Sequence, residues 1–497
     1  MQTMKKTILV YIMTLVTLSA ISQWTVDSLN SPRANIPVAV FGNKMVFGAG
    51  TGINWDVFDF STNTHTSGSL SFNRTDIKFA QAGTNAYYAG GKYGPYTDPL
   101  YTKNVDIYNS ATNTWSVAKL SLARLVGGAG SISNKVFFAG GLGRDFGGPV
   151  YIYNRVDIFN ASTGLRTTAK LSKARSNIAV GSAADKILFA GGWYWDIMYN
   201  QLQTNVVDIY NNTTGIWSKA LLSKKREEIG VAVVGNKILF AGGYTSTGTS
   251  FASKNVDIYD ALTNTWTNTN FSVGRYDMAI AVVGTKAYFA GGGGADNSIE
   301  VYDVAMGTWT NLTMPVSLKG YTATVVGDKI YYAGGYDVVN RASSIVQVYN
   351  TTTQTWSIDA LSQPRYGISA VSLGNKAVFA GGYKDFAYPL ATTSNRIDIY
   401  SQSLFAANAS SEIIKNTNVA GVYPNPAKTY IIITTGKTIP AQSEISIIDL
   451  NGNIKYKQVI KDITEPIKLF IASLATGMYY FKINSEKEIF TGSFIKE

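Results

Sequence analysis

Cysteine is absent from all 497 residues, and histidine occurs once, at His65. Without cysteine there are no disulfides, no thiolate metal ligands and no Cys nucleophile. One histidine leaves no His set for zinc, and Ser–His hydrolysis is excluded with it. Charged residues make up only 15% of the chain, and beyond the first 22 residues no apolar run approaches the length that crosses a membrane. What the chain has instead is 47 glycines, 12% aromatic residues and 45% hydrophobic residues. That is the composition of a folded, strand-rich chain with many tight turns.

The formal charge is +11. Two of these charges, Lys5 and Lys6, open what reads as an export signal: the apolar run Thr7 to Leu18 follows, then the small-residue pattern Ala20-Ile21-Ser22, with cleavage expected before Gln23. The remaining surplus is spread without a basic block, so no nucleic-acid partner is expected.

Internal periodicity decides the architecture. FAGG or YAGG recurs at Gly90-Gly91, Gly140-Gly141, Gly191-Gly192, Gly242-Gly243, Gly291-Gly292, Gly334-Gly335 and Gly381-Gly382, with an imperfect FGAG ending at Gly50. An Arg stands 17 residues before the second Gly in seven units (Arg33, Arg74, Arg124, Arg175, Arg226, Arg275, Arg365), and Lys319 stands near that place in the other. A strand such as VDIY follows each pair, and Trp comes seven residues after its aromatic residue, as from Tyr259 to Trp266. Each unit therefore reads as four strands, here called a to d from the inside outwards: in unit 5, Ile229 to Val234, Lys237 to Ala241, Val256 to Tyr259 and a strand starting at Trp266. Trp24 precedes the first Arg with nothing before it, and the last unit ends at Tyr400 without a Trp. The N-terminal strand is thus expected to complete the last unit.

Arg, glycine pair, aromatic strand and Trp together resemble the Kelch repeat over residues 24 to 400. The resemblance implies an all-β chain with an eight-bladed β-propeller at 23–400, closed by its N-terminal strand; seven blades is the alternative if the irregular first unit does not count.

Residues 401–418 read as a linker, and the short strands beyond it as a compact β-sandwich. Tyr423-Pro424-Asn425-Pro426-Ala427, Asp449-Leu450-Asn451-Gly452 and Gly477-Met478-Tyr479 give residues 419–497 a resemblance to the type A sorting domain of type IX secretion. It implies a type IX secretion machinery partner and passage through the periplasm to the outer-membrane surface of a Gram-negative bacterium, or release.

Extracellular Kelch proteins include radical-copper oxidases, whose Cys-Tyr cross-link and His ligands this chain cannot supply. No catalytic residue, metal or cofactor is expected. His65 fills a Trp position, and the repeated Asp and Arg residues read as structural, with an anion site at one channel mouth as the alternative for the Arg ring.

Ligand binding is expected where the repeats differ, in the loops from strand b to strand c. These run 16 to 18 residues from the second Gly to the strand-c aromatic in units 2, 3, 4, 5 and 8, against 10, 10 and 14 in units 1, 6 and 7. The long loops supply aromatic faces (Tyr96, Tyr101, Tyr153, Trp193, Trp195, Tyr199, Phe386) and polar groups (Arg144, Asp145, Asp196, Asp385). The expected ligand is a glycan or a protein. A metal-free carbohydrate-active enzyme similar to the Kelch sialate mutarotases, and a structural surface-layer component, are the alternatives.

Overall fold

The computed structural model describes residues 24–497, except 96–97, 145–147, 247–250, 294–296, 387–390, 403–415 and short stretches of the C-terminal region (420, 426, 435–441, 450–453, 461–465, 485–487). The expected export signal at 1–22 lies outside the described residues. So do Tyr96 and Asp145.

Each repeat folds as a four-stranded antiparallel sheet, and the chain forms eight of them. In unit 5 the strands are Gly230–Val234, Lys237–Ala241, Asn255–Asp260 and Thr265–Asn270. Alternation places Ile258 and Val256 in the core, and Tyr259 stands opposite Trp266 with ring centroids 5.0 Å apart. Such a pair adds about 0.5–1.5 kcal/mol beyond its buried area. In unit 1, strand c is Asn54–Asp59, so Phe58 is its aromatic residue and His65 sits opposite in the Trp position. The imidazole stacks on Phe58 at 4.0 Å and bonds Asp56 at 2.6 Å.

The seven arginines are buried inside the sheets, each facing an acid on strand c of its own unit. Arg74–Asp106, Arg124–Asp157, Arg175–Asp208 and Arg275–Glu300 close at 2.7–2.8 Å, and Arg33–Asp56, Arg226–Asp257 and Arg365–Asp398 form the same pairs. Arg74 also donates to the carbonyls of Tyr88 and Gly90, and Arg175 to those of Phe189 and Gly191. The acid's second oxygen accepts the backbone N–H three residues before the Arg, as Asp208 does from Ser172 at 2.9 Å. Burial pulls every one of these guanidinium pKa values down, to about 10 at Arg226, and the acid opposes the shift. A buried anion site on this ring would have to displace these carboxylates.

Lys319 does not belong to the ring. The residue 17 before Gly335 is Leu318, which is buried, while Lys319 is exposed. Opposite it stands Gln347, whose amide bonds both the N–H and the carbonyl of Val316 at 2.8 and 3.0 Å. Unit 7 has replaced both charges together, which avoids an unpaired buried ion.

The glycine pair is where neighbouring units meet. A Cβ on Gly90 would lie 2.5 Å from the Arg124 carbonyl oxygen, and one on Gly91 2.5 Å from that of Thr75, both with φ positive. The second Gly donates its N–H to the Arg carbonyl of the next unit: Gly91 to Arg124 at 3.1 Å, Gly141 to Arg175 at 2.9 Å, Gly192 to Arg226 at 3.0 Å. Gly382 of unit 8 makes this bond to Arg33 of unit 1, at 3.0 Å. Ser369 Oγ bonds both backbone groups of Ile36, and Met45, Phe47, Val378 and Ile399 share one hydrophobic cluster across the same joint. The N-terminal strand Trp24–Ser28 pairs with Arg396–Ser401, Trp24 opposite Tyr400.

The C-terminal region forms a five-stranded and a three-stranded sheet around Ile431, Ile433, Ile445, Ile447, Phe481 and Phe490. Two strands were not legible in the sequence. Asn416–Val419, whose first three residues were expected in the 401–418 linker, pairs in parallel with Glu488–Thr491, and Gly421–Tyr423 pairs with Ile432–Thr434. Both are short and lack alternation, so only their partners define them. Ser401, likewise, ends the strand Arg396–Ser401 rather than opening the linker.

Arg175→Leu or Asp208→Gln alone should lower stability by about 3–5 kcal/mol, since each leaves a buried charge unpaired. Together they recreate the Leu318–Gln347 arrangement, and the double variant should be more stable than either single one in chemical denaturation. Additive losses would refute the pairing argument.

Candidate functional site

In seven of the eight units the residue that turns the chain from the crossover into strand a, two after the Arg or, in unit 7, two after Leu318, is left-handed: Asn35, Asp76, Asn177, Glu228, Asp277, Gly320 and Gly367 have φ of 50–60°, while unit 3 has the buried Val126 at this place. Asn, Asp and Gly tolerate that region best. A backbone requirement therefore places polar side chains at the inner end of units 1, 2, 4, 5 and 6.

Between these turns and the b–c loops of units 1 to 4 and 8 lies an open cavity of about 830 Å³. Asn35, Asp76, Lys78, Lys92, Asn177, Trp193 and Tyr383 are among the residues lining it. Two backbone registers hold the wall. The residue after the glycine pair is bridged to the residue after the Arg, as Trp193 is to Ser176, with N–H···O bonds of 3.0 and 2.9 Å in both directions. Lys92 is bridged to Thr75, and Tyr383 to Tyr366, in the same way. Lys92 reaches Asp76 at 3.0 Å.

Lys78 breaks the repeat. The residue four after the Arg is Pro37, Gly128, Ala179, Gly230 or Ala279 in units 1, 3, 4, 5 and 6, Thr322 in unit 7 and Ser369 in unit 8. Only unit 2 places a charge there. Lys78 keeps access to solvent through the cavity, yet protein surrounds its ammonium closely enough that desolvation pulls its pKa below the ordinary lysine value, Asp76 opposing the shift. Among the described residues Lys78 makes no hydrogen bond or ion pair.

Of the residues singled out from the sequence, Trp193 lines this cavity. Tyr96 and Asp145 lie outside the described residues, and most of the others make contacts within the loops. Tyr101 is buried beside Lys92 in a short hairpin, and Arg144 pairs with Asp98. Tyr153 packs on Tyr151 at 6.5 Å. Trp195 sits between Trp193 and Tyr199, at 5.5 and 6.4 Å. Asp196 accepts the N–H groups of Met198 and Asn200 and the Asn200 amide, which lowers its pKa and shapes the turn that leaves Tyr199 exposed in a left-handed conformation. Asp385 receives the Thr392 N–H at 3.0 Å, and Phe386 stacks on Tyr366 at 4.1 Å. Asp337 builds the same turn as Asp196 in unit 7.

Sequence reasoning missed Asp76, Lys78, Lys92 and Asn177. Their signal was the register itself, in the Asn/Asp/Gly slot two after the Arg and the lone Lys four after it.

Residues 225–269 and 317–359 match the family model of the Kelch motif, and residues 421–497 match that of the secretion system C-terminal sorting domain. No curated protein matches the chain. The Kelch repeats on an all-β structure indicate a binding propeller, and the C-terminal domain indicates export by type IX secretion to the cell surface or outside.

Proposed function

We propose that this is an exported binding protein whose propeller takes the end of a saccharide chain into the cavity at the inner end of units 1 to 4 and 8. The carrying observation is a wall that combines aromatic side chains, Trp193 and Tyr383, with orienting polar groups, Asn35, Asn177 and Lys78, around an open cavity. Aromatic faces suit the apolar face of a sugar ring, and a few fixed polar groups set its orientation. Trp193→Ala should weaken binding on a glycan array and in calorimetry at least about tenfold, as losing one aromatic anchor does. Tyr199→Ala, exposed and outside the wall, should change it little. A purified protein that captures no glycan but binds a protein partner through this face would overturn the reading.

The domain division goes with this proposal. Residues 23–400 form one eight-bladed propeller, and a separate sandwich follows after the linker. Closure of the ring is supported by the Gly382–Arg33 bond, which repeats between units 8 and 1 the link seen between other neighbours, and by Trp24 in the missing Trp position. Deleting residues 24–28 exposes the edge of Arg396–Ser401, and the product should melt lower and self-associate on size exclusion. An equally stable monomer would refute closure.

The sorting domain sets the delivery route. A chain ending before residue 419 should remain folded and accumulate in the periplasm, as fractionation and surface proteolysis would report; normal surface display would contradict the role assigned to it.

A further inference from the structure

We propose that Lys78 is a carboxylate-recognition residue, so that the saccharide end admitted to the cavity is an acidic one, a uronic acid or a sugar of equivalent charge. The inference rests on the binding reading above and sharpens it.

Seven of the eight units keep the first position of strand a small or uncharged, which the geometry of the sheet favours at the narrow inner end. Unit 2 alone spends this position on an ammonium, and it does so in the lining of the cavity that Trp193 also lines. The seven buried arginines each have a carboxylate, and Lys186 is satisfied by Asp185 and the Ala261 carbonyl. Lys78 has no such contact among the described residues; the carboxylate whose charge reaches it, Asp76, is in contact with Lys92 at 3.0 Å. An exposed ammonium set in a concave wall, without a carboxylate in contact, gains from a ligand that brings one. Asn35 and Asn177, the latter donating its amide to Glu227 at 3.0 Å, lie in the same wall, and Trp193 gives the ring a face. Phosphate or sulfate alone would meet the charge but would leave the aromatic wall unused.

The test uses the full-length protein with two probes that differ in one feature: oligogalacturonate and the same oligomer with its carboxylates methyl-esterified. The acid should bind more tightly by about tenfold or more, the size of one charge-assisted hydrogen bond. Lys78→Met keeps the length of the side chain and removes the charge, and it should erase that difference while leaving thermal unfolding unchanged or improved. Inorganic phosphate should compete only weakly. Equal binding of acid and ester, no binding of the acid, or undiminished preference in the Lys78→Met protein would overturn the inference. The underlying reading is judged separately: if Trp193→Ala weakens both probes while Lys78→Met affects neither, the saccharide cavity stands and the acidic specificity falls. If Trp193→Ala affects neither probe, the cavity itself is misassigned.

Discussion

The buried pair between the crossover Arg and the strand-c acid is the interaction on which the rest of the propeller depends. Each crossover carries the chain from the outside of one sheet to the inside of the next and has few neighbours of its own. The guanidinium ties it at once to the acid on strand c and to the carbonyls that flank the glycine pair on strand b. Those carbonyls and the acid would be unsatisfied in the interior without it, and the guanidinium would be equally costly without them. Seven of eight units carry the arrangement, and the exception removes both charges together, with Leu318 and Gln347.

Because that crossover is held, the residues on either side of it take fixed conformations. The one two positions on is left-handed and Asn, Asp or Gly in most units, and the residue after the glycine pair is bridged to the residue directly after the Arg. A rim that carries polar groups and aromatic rings thus arises from backbone constraints, before any selection for a ligand. Function needs only departures from the repeat on this rim, and Lys78 and Trp193 are two of them. The opposite end is occupied by tight turns whose side chains cap their own backbone, as Asp260 does for Leu262 and Thr263.

Long loops illustrate a limit of reading composition as function. Their aromatic richness suggested a binding lip, yet Phe386 lies flat on Tyr366, Trp195 braces Trp193, and Asp196 and Asp385 close their own turns. A loop of this length has little backbone pairing to order it, so its side chains supply the order. The same residue types serve both purposes, and only contacts separate them.

Repeat spacing alone determined the four strands of the regular units, the place of Trp24 beside Tyr400 and the structural character of the arginines, because these are local patterns copied from unit to unit; in the irregular unit 1 it set strand c at Val57 to Phe60, where the structure has Asn54–Asp59. It also assigned the C-terminal region its strands wherever apolar alternation was long enough, as at Tyr430–Thr434. Tertiary structure decided what depends on partners remote in the chain: that Lys319 leaves the ring while Leu318 enters it, that Asn416–Val419 is a strand because Glu488–Thr491 lies beside it, and which side chains from five different units face one cavity. A periodic sequence reports what every unit must do to fold. Where the units converge, identity is set by neighbours hundreds of residues away, and there only packing distinguishes a side chain that holds the loop from one that is left open to a ligand.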